Sequence, residues 1–375
     1  MGRTDSERHP NSQNYPGGPA LKKHQQLILG LTIALVALYY TLRNVSLSEV
    51  ITSFREMDHI YLIPAILIVI LGYVFRAYRW QVLLEPSMKM GVSGLYSPMM
   101  VGFMGNFLPA RAAEILRPYL LSKKYDITFS AAFASIVMER LFDLIMLLLI
   151  FVWVFWFEAS AFSSDFKFSG FSVQEMAIKF GQVCLLATVA FIVFIYLLLS
   201  HKPMLMKLVH WFTGFLPEKW ANKIEYLIEE FAAGCEVVKN FGSLVKITVY
   251  SALVWVCNTV AFFPLYYAFD LQHKTISSLL ILTVMISILI TVVPTPGFLG
   301  SYNAGILIAL HEVMGESEVK SVGFGMVGWA LFAGVILAGG LYFIFHDHMS
   351  LKSLVEVEEE GEALFDQEEQ GRKHD

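Results

Sequence analysis

The chain has 375 residues, of which 56% are hydrophobic and only 16% are charged, whereas about a quarter of the residues of a soluble domain are charged. This composition excludes an ordinary soluble domain, and apolar runs of roughly 20 residues recur along the chain, as in multi-span membrane proteins. The net charge of −5 arises at one end: residues 351–375 hold nine acidic and three basic residues, a net of −6, which leaves +1 elsewhere.

In chain order, the first segment is a polar tail, residues 1–24, which is rich in turn-forming residues and predicted to be flexible. Residues 25–348 form the predicted membrane domain, and the acidic residues 349–375 form a second tail that is predicted to be disordered. Six full spans are predicted in the membrane domain, at residues 27–42, 60–84, 129–157, 180–200, 245–268 and 322–345.

Two further apolar stretches, 94–121 and 276–311, are interrupted in their middles by the sequences GNFLPAR and PTPGFLG. Proline removes a backbone donor and glycine permits unusual backbone angles, so each stretch is predicted to form two half-helices. We expect each pair to enter and leave the membrane on one side, as a re-entrant hairpin. The predicted fold is therefore an all-α polytopic membrane helix bundle of six full spans and two broken re-entrant hairpins.

The two broken stretches occupy corresponding places in an internal repeat. Residues 60–157 and 245–345 share the order span, broken hairpin, span, and Pro109 and Pro294 each lie 49 residues into their halves. The halves would enter the membrane in opposite senses. Paired breaks of this kind indicate a transport site near the membrane midplane.

Orientation follows from the basic residues, which are enriched in the N-terminal tail and in the 201–246 connection. Both segments are predicted to be cytoplasmic, which gives a multi-pass protein of the cell membrane with both termini inside. Within 201–244, apolar residues at helical spacing predict an amphipathic helix on the cytoplasmic face or a loop helix packed on the spans. These residues are Trp220, Ile224, Leu227, Ile228 and Phe231.

The first break carries charges that membrane depth tolerates only inside protein or beside a wet cavity. Arg111 would lie in the first turn of the second half-helix, whose N-terminus favours anions. Glu114 and Arg117 are spaced to pair along one face of that half-helix. With Asn106, these residues form the predicted site for an anionic head group.

Two other groups of charges lie in apolar sequence. Arg76 and Arg79 are near the end of the second span, where they reach the interface by snorkelling or join the site. Glu139, Arg140 and Asp143 must be at least partly buried, and Arg111 or Arg117 could supply a cation to the two acids. The alternative is a salt-bridge network that only holds the helices together.

The second break contributes Pro294, Pro296, Gly297, Gly300 and Asn303 to the predicted site. It contains no charge, and a plain kink or loop is an alternative interpretation. Elsewhere the chain has no GxxxxGK[ST], HExxH or GxSxG motif, and its histidines and cysteines show no metal-ligand spacing. We therefore expect no enzymatic activity, no cofactor, no metal and no nucleic-acid partner.

Four segments, RAYRWQVLL, GNFLPARAAEILRPYLLS, AAFASIVMERLFDLIMLLL and PTPGFLG, resemble in their order the lysylphosphatidylglycerol synthase transmembrane-region family of flippase-like membrane proteins. The resemblance covers about 27–345 and implies a domain that moves phospholipid between leaflets. It does not imply aminoacyl transfer, because the family's soluble transferase domain is replaced here by an acidic tail. Phe298 stands where the family has glycine, and Asn303 near a frequent glutamate, so no acid role is implied there.

The leading hypothesis is a lipid flippase or transporter that moves a phospholipid or lipid phosphate between leaflets. Five arginines against three acids in or near the apolar segments of 60–157 favour an anionic head group over a lysylated, cationic one. One alternative is a non-transporting membrane partner of a separately encoded lipid-modifying enzyme. Another is a membrane enzyme acting on lipid phosphates, with Glu139 or Asp143 as base.

Overall fold

The computed structural model describes residues 28, 32–33, 35–107, 113–157, 167–168, 171–213, 228, 232 and 235–348. These residues are helical apart from connecting turns and a two-residue antiparallel pairing of Lys167–Phe168 with Phe171–Ser172, so the all-α class is confirmed. After helical residues 35–42, the helices are α1 (Leu47–Glu56), α2 (Leu62–Leu84), α3 (Val92–Met104), α4 (Ala113–Lys124), α5 (Phe129–Phe157), α6 (Val173–Ser200), α7 (Lys202–Thr213), α8 (Phe241–Val260), α9 (Phe262–Ala268), α10 (Ile276–Val292), α11 (Ser301–Leu307) and α12 (Glu318–His346). Single helical turns at His59–Tyr61, Gly105–Phe107, Glu236–Lys239 and Pro296–Phe298 connect some of them, and Ile308–Val313 extends α11 as a π-helical segment.

Four helical runs are long and apolar enough to cross a membrane: His59–Leu84, Gly181–Leu198, Phe241–Ala268 and Glu318–His346. They correspond to four of the six predicted spans. The fifth, 129–157, is the continuous 29-residue helix α5, about 43 Å long, which carries three charges. The sixth, 27–42, lies partly outside the described residues. Large apolar side chains such as Leu67 and Leu186 are exposed on these helices, as expected of a surface that faces lipid.

The first broken stretch forms two short helices, α3 and α4, with 13 and 12 residues. At 1.5 Å per residue each is about 20 Å long or less, too short for a hydrocarbon core of about 30 Å. Their far ends meet, because the Tyr125 hydroxyl donates to the Gly94 carbonyl at 3.2 Å. They pack closely, since a Cβ on Gly102 would lie 2.1 Å from Cγ of Arg117. The two helices therefore form a hairpin whose tip is the turn at Gly105–Phe107.

The second broken stretch, α10 and α11, has the same form. Its two flanks are joined by the buried carboxylate of Glu316, which accepts from the backbone N–H groups of Gln272 and His273 at 2.7 and 2.9 Å. A Cβ on Gly305 would lie 2.8 Å from Cα of Ile286, so α10 and α11 also pack backbone to backbone. The tip of this hairpin is the turn at Pro296–Phe298.

Helix α12 connects the open ends, or mouths, of the two hairpins. It begins just after Glu316, and beyond its last residue Asp347 accepts from Lys124 Nζ at 2.6 Å and from Ser97 Oγ at 2.5 Å. Burial raises the pKa of Asp347, but these hydrogen bonds outweigh it and hold the pKa well below its usual value. The mouths therefore lie at opposite ends of a 29-residue helix about 43 Å long.

The two tips are in contact. Gly297 has a φ of 58°, and a Cβ placed on it would lie 2.5 Å from Cδ1 of Phe107. Trp329 Nε1 of α12 donates to the Gly297 carbonyl at 2.8 Å and so fixes the second tip. Position 297 therefore requires glycine for two reasons: its backbone φ is positive, and a Cβ would collide with the ring of Phe107.

Two features of the fold differ from the sequence-based expectation or extend it. Helix α1 was not predicted, although Ser46 and Glu49 form a capping box that marks its start. In the 201–244 connection, α7 is helical and Ile228 packs against a buried cluster that includes Cys235. Trp220, Ile224, Leu227 and Phe231 lie outside the described residues.

The tip contact can be tested with a matched pair of glycines. Gly297→Ala and Gly315→Ala each place a Cβ at a positive φ, which costs about 1–2 kcal/mol. At Gly315 nothing lies within 4 Å of that Cβ, whereas at Gly297 it must displace Phe107. We expect Gly297→Ala to lower the thermal unfolding temperature in detergent more than Gly315→Ala does, and Phe107→Ala to reduce the difference. Equal losses in the two single variants would contradict the contact.

Candidate functional site

A single buried carboxylate, Glu139 on α5, receives three arginines from three helices. Arg117 of α4 forms a fork with it, Nη1 to Oε1 and Nη2 to Oε2, both at 3.0 Å. Arg140 Nη2 lies 2.6 Å from Oε1, and Arg79 Nη2 of α2 lies 3.3 Å from the same oxygen. Glu139 and Arg79 have no exposed side-chain surface. The arrangement ties the first hairpin to α2 and α5 by charge-assisted bonds in an apolar interior.

Asp143, one turn further along α5, completes the network. Its Oδ1 accepts from Arg79 Nη1 at 2.7 Å, and its Oδ2 lies 3.2 Å from Arg140 Nη2. Two acids spaced i, i+4 repel each other. Here Arg79 and Arg140 each contact both carboxylates, and this shared pairing makes their proximity tolerable in a low-dielectric interior.

Helix α8 contributes three uncharged groups that sequence reasoning missed. Ser251 Oγ accepts from Arg79 Nη1 at 3.1 Å, and Trp255 Nε1 donates to Asp143 Oδ1 at 3.3 Å. Asn258 Oδ1 accepts from Arg76 Nη2 at 3.4 Å. Their i, i+4, i+7 spacing places them on one face of an apolar span. This spacing of polar groups in an apolar span was the sequence signal that could have identified them.

Aromatic rings surround the guanidinium of Arg117. Its Cζ lies 4.4 Å from the ring centroid of Trp80 and 4.7 Å from that of Phe103, distances typical of cation–π contacts. Trp80 is itself fixed by a 2.9 Å hydrogen bond from its Nε1 to Ser135 Oγ. The rings shield the charge of Arg117 from hydrocarbon while Glu139 neutralises it.

Arg76 differs from the other three arginines. Among the residues that the structure describes, no carboxylate lies within ion-pair distance of it. Its Cζ lies 5.9 Å from the ring of Tyr73 and 5.7 Å from that of Phe103, and its hydrogen-bond partner is the neutral amide of Asn258. It is also only half-buried.

The structure excludes one of the two alternatives for Arg79 and the expected pairing of Glu114 with Arg117. Arg79 does not snorkel to an interface, because Glu139 and Asp143 hold it inside the protein. Glu114 does not pair with Arg117, which instead faces α5 and binds Glu139, leaving Glu114 exposed. The rotation of α4 about its axis determines that Arg117 faces Glu139 and not Glu114, and sequence spacing does not give that rotation.

The remaining predicted residues are placed at the tips. Asn106 lies in the first tip, while Pro109 and Arg111 lie outside the described residues. In the second break, Pro294 follows α10 and Pro296 opens the tip turn. Gly300, with a φ of 87°, donates its N–H to Asn303 Oδ1 at 3.2 Å and is the N-cap of α11. This break is neutral, and Phe107 packed on Gly297 joins it to the first.

The cluster combines more cations than anions. In the described part of the chain, no group of three histidine, cysteine, aspartate or glutamate residues could hold a metal ion. The four arginines Arg76, Arg79, Arg117 and Arg140 face two buried or half-buried acids, Glu139 and Asp143. Counted over these six side chains, the cluster carries two positive charges in excess, and the exposed Glu114 also attracts Arg140.

Glu139 should be the most sensitive position of the cluster. Glu139→Gln leaves the arginines facing Asp143 alone, and removing one partner of a buried ion pair costs about 3–5 kcal/mol. We expect a large fall in thermal stability in detergent, partly restored in Glu139→Gln/Arg117→Gln, which removes one cation as well. Glu56→Gln, an exposed glutamate on α1, is the control and should be silent. A single variant as stable as wild type would contradict the shared pairing.

Two relatives match most of this chain. A UPF0104 membrane protein of Methanothermobacter thermautotrophicus is 24% identical over 338 residues, which cover 85% of this chain and 94% of that protein. Glycosyltransferase AglD of Haloferax volcanii is 22% identical over 356 residues, which cover 90% of this chain. The chain spans only 57% of the length of the glycosyltransferase.

No solved structure matches the chain. The family model described as lysylphosphatidylglycerol synthase TM region matches residues 27–339, which include both hairpins and the arginine cluster. The chain therefore belongs to the lysylphosphatidylglycerol synthase transmembrane-region family of integral membrane proteins.

Proposed function

We propose that this protein is a lipid transporter of the flippase type, which moves a phospholipid or lipid phosphate with an anionic head group between leaflets. The observation that carries the proposal is the meeting of two broken hairpins, tip to tip, beside a buried cluster with two excess positive charges. Broken helices that meet within a bundle are where transporters bind their substrates.

The proposed topology has six spans and two re-entrant hairpins, related by an inverted repeat of 60–157 and 245–345. Hydrogen bonds at the helix ends support it. Ser243 Oγ, at the start of α8, donates to Glu85 at the end of α2 at 3.1 Å. The Asp58 N–H, before α2, donates to the Ala268 carbonyl at the end of α9 at 3.0 Å. Helix α2 is thus antiparallel to the α8–α9 run, and the hairpin mouths open at opposite ends of this pair and of α12.

The side of the first mouth is proposed to be cytoplasmic. Lys123 and Lys124 lie at this mouth, and the lysine-rich 201–246 connection joins α6 to α8 on the same side. Both termini would then be cytoplasmic, in a protein of the cell membrane. Residues 1–24 and 349–375 remain predicted tails, and 25–348 the membrane domain.

Excess positive charge supports an anionic head group as the cargo. In an apolar interior an uncompensated cation is costly, and an incoming phosphate would supply the missing charge. Arg111 is expected at the first tip, where it would add one more cation. A lysylated head group would meet charge of its own sign.

A second candidate function is lipid modification, either by this chain or by a separately encoded enzyme that it assists. Its support is the relative named as a glycosyltransferase, because the match to that relative covers 90% of the present chain. Neither Glu139 nor Asp143 is well placed to act as a general base, because each is ion-paired with arginine. Transport is therefore the better-supported proposal.

The topology can be tested by single cysteines in a variant that lacks Cys184, Cys235 and Cys257. Exposed positions at the first mouth are Ser93 and Asp126, and at the second Gln272 and Ser317. An impermeant thiol reagent added to sealed right-side-out cells should label the second pair and spare the first. Opposite labelling within either pair would show a full crossing in place of a hairpin.

Transport itself can be measured in proteoliposomes that contain a leaflet-labelled anionic phospholipid. Wild type should move the lipid, and Arg111→Gln should slow the movement roughly ten- to a hundred-fold, since a charge-assisted hydrogen bond contributes about 1.5–3 kcal/mol. Arg111→Lys should retain part of the activity because it keeps the charge without the fork. Arg55→Gln, at an exposed position on α1, is the control. Movement at the wild-type rate by Arg111→Gln would remove this residue from the site.

A further inference from the structure

Arg76 has hydrogen-bonding capacity that the protein does not use. The other three arginines of the cluster each hold a buried Nε without a partner, but no nitrogen of Arg76 is buried in this way. Its one hydrogen bond among the described residues runs from Nη2 to Asn258 Oδ1. Nε and Nη1 of Arg76 therefore keep some exposed surface, and the residue as a whole is partly buried.

The position of Arg76 relates it to the first tip. Phe103, in the last turn of α3 before the tip, presents its ring to two guanidinium groups, with Arg76 at 5.7 Å and Arg117 at 4.7 Å. Arg76 thus lies at the depth of the tip, about 12 Å inside the end of α2 at Leu84. It is a partly buried cation at the depth of the tip, next to Arg117, which is ion-paired with Glu139.

Helix α8 supplies the second element. Because Asn258 uses its oxygen to accept from Arg76, its NH₂ group is a further donor beside the guanidinium. Gly72 and Cys257 bring α2 and α8 close together at this level, since a Cβ on Gly72 would lie 3.3 Å from Cβ of Cys257. The donors of Arg76 and Asn258 therefore come from both halves of the repeat and converge on one place.

We propose that Arg76 and Asn258 bind the phosphate of an anionic lipid at the α2–α8 surface, at the depth of the first tip. The inference rests on the proposed transport function and deepens it, by naming the phosphate oxygens as the group recognised. The guanidinium offers N–H donors from Nε and Nη1 to phosphate oxygens, and the amide donates a further hydrogen bond. Arg79, Arg117 and Arg140 hold the helices, while Arg76 receives the ligand.

Binding is measured on detergent-purified protein by native mass spectrometry and by the shift in melting temperature. The probes are short-chain phosphatidylglycerol, short-chain phosphatidylcholine and inorganic phosphate. Wild type should bind phosphatidylglycerol more tightly than the other two. Arg76→Gln should weaken this binding about ten- to a hundred-fold, Arg76→Lys less, and Asn258→Ala a few-fold. Arg55→Gln is the matched control and should bind as wild type does.

The proposal is overturned if Arg76→Gln binds phosphatidylglycerol within twofold of wild type. It is also overturned if inorganic phosphate competes at the same concentration as the lipid, since the site would then take a free anion. If Arg76→Gln does not fold, Arg76→Lys and Asn258→Ala carry the test, and wild-type affinity in both rejects the site.

The binding experiment and the transport experiment can fail independently of each other. Wild type that moves lipid in proteoliposomes, with Arg76→Gln binding unchanged, would refute only the role of Arg76. Wild type that binds phosphatidylglycerol through Arg76 but moves no lipid would refute transport and leave a lipid-binding site.

Discussion

The structure depends on one carboxylate, Glu139, shared by three arginines in a buried, largely apolar interior. A charge in such a medium persists only with a close partner of opposite sign. Because Arg79, Arg117 and Arg140 come from α2, α4 and α5, satisfying one acid fixes the relative positions of three helices. The first hairpin is tied to this interior by the fork between Arg117 and Glu139.

Close backbone approach makes this pairing possible. Gly102 lets Arg117 lie against α3, so the guanidinium reaches past that helix to α5. Gly305 does the equivalent for the second hairpin, where α11 rests on α10. At the tips, Gly297 accepts the ring of Phe107. Among the described residues, the tip contact of Phe107 with Gly297 joins an apolar ring to a small residue, and the charged cluster lies to the side of it.

Much of the fold was predictable because hydrophobic length and backbone breakers are local signals. The two breaks and four spans follow from runs of apolar residues and from proline and glycine. The pairing within the site was not predictable in the same way. Arg117 had Glu114 as a neighbour at helical spacing, yet it binds Glu139, because the rotation of α4 and the depth of the hairpin are set by tertiary packing. Asn258 was missed because a single amide in an apolar span cannot be recognised as a site residue from sequence. Its role is visible only once the structure places Arg76 opposite it.

Helix α12 reaches both hairpin mouths, near Glu316 at its start and Asp347 at its end. Its length of about 43 Å matches a whole bilayer with its head-group regions, which is about 40–45 Å thick. In a thinner membrane such a helix tilts to hide its apolar length. Tilting would shift the two mouths sideways relative to each other while the tips stay together. The thickness of the bilayer would thus change the position of one hairpin relative to the other.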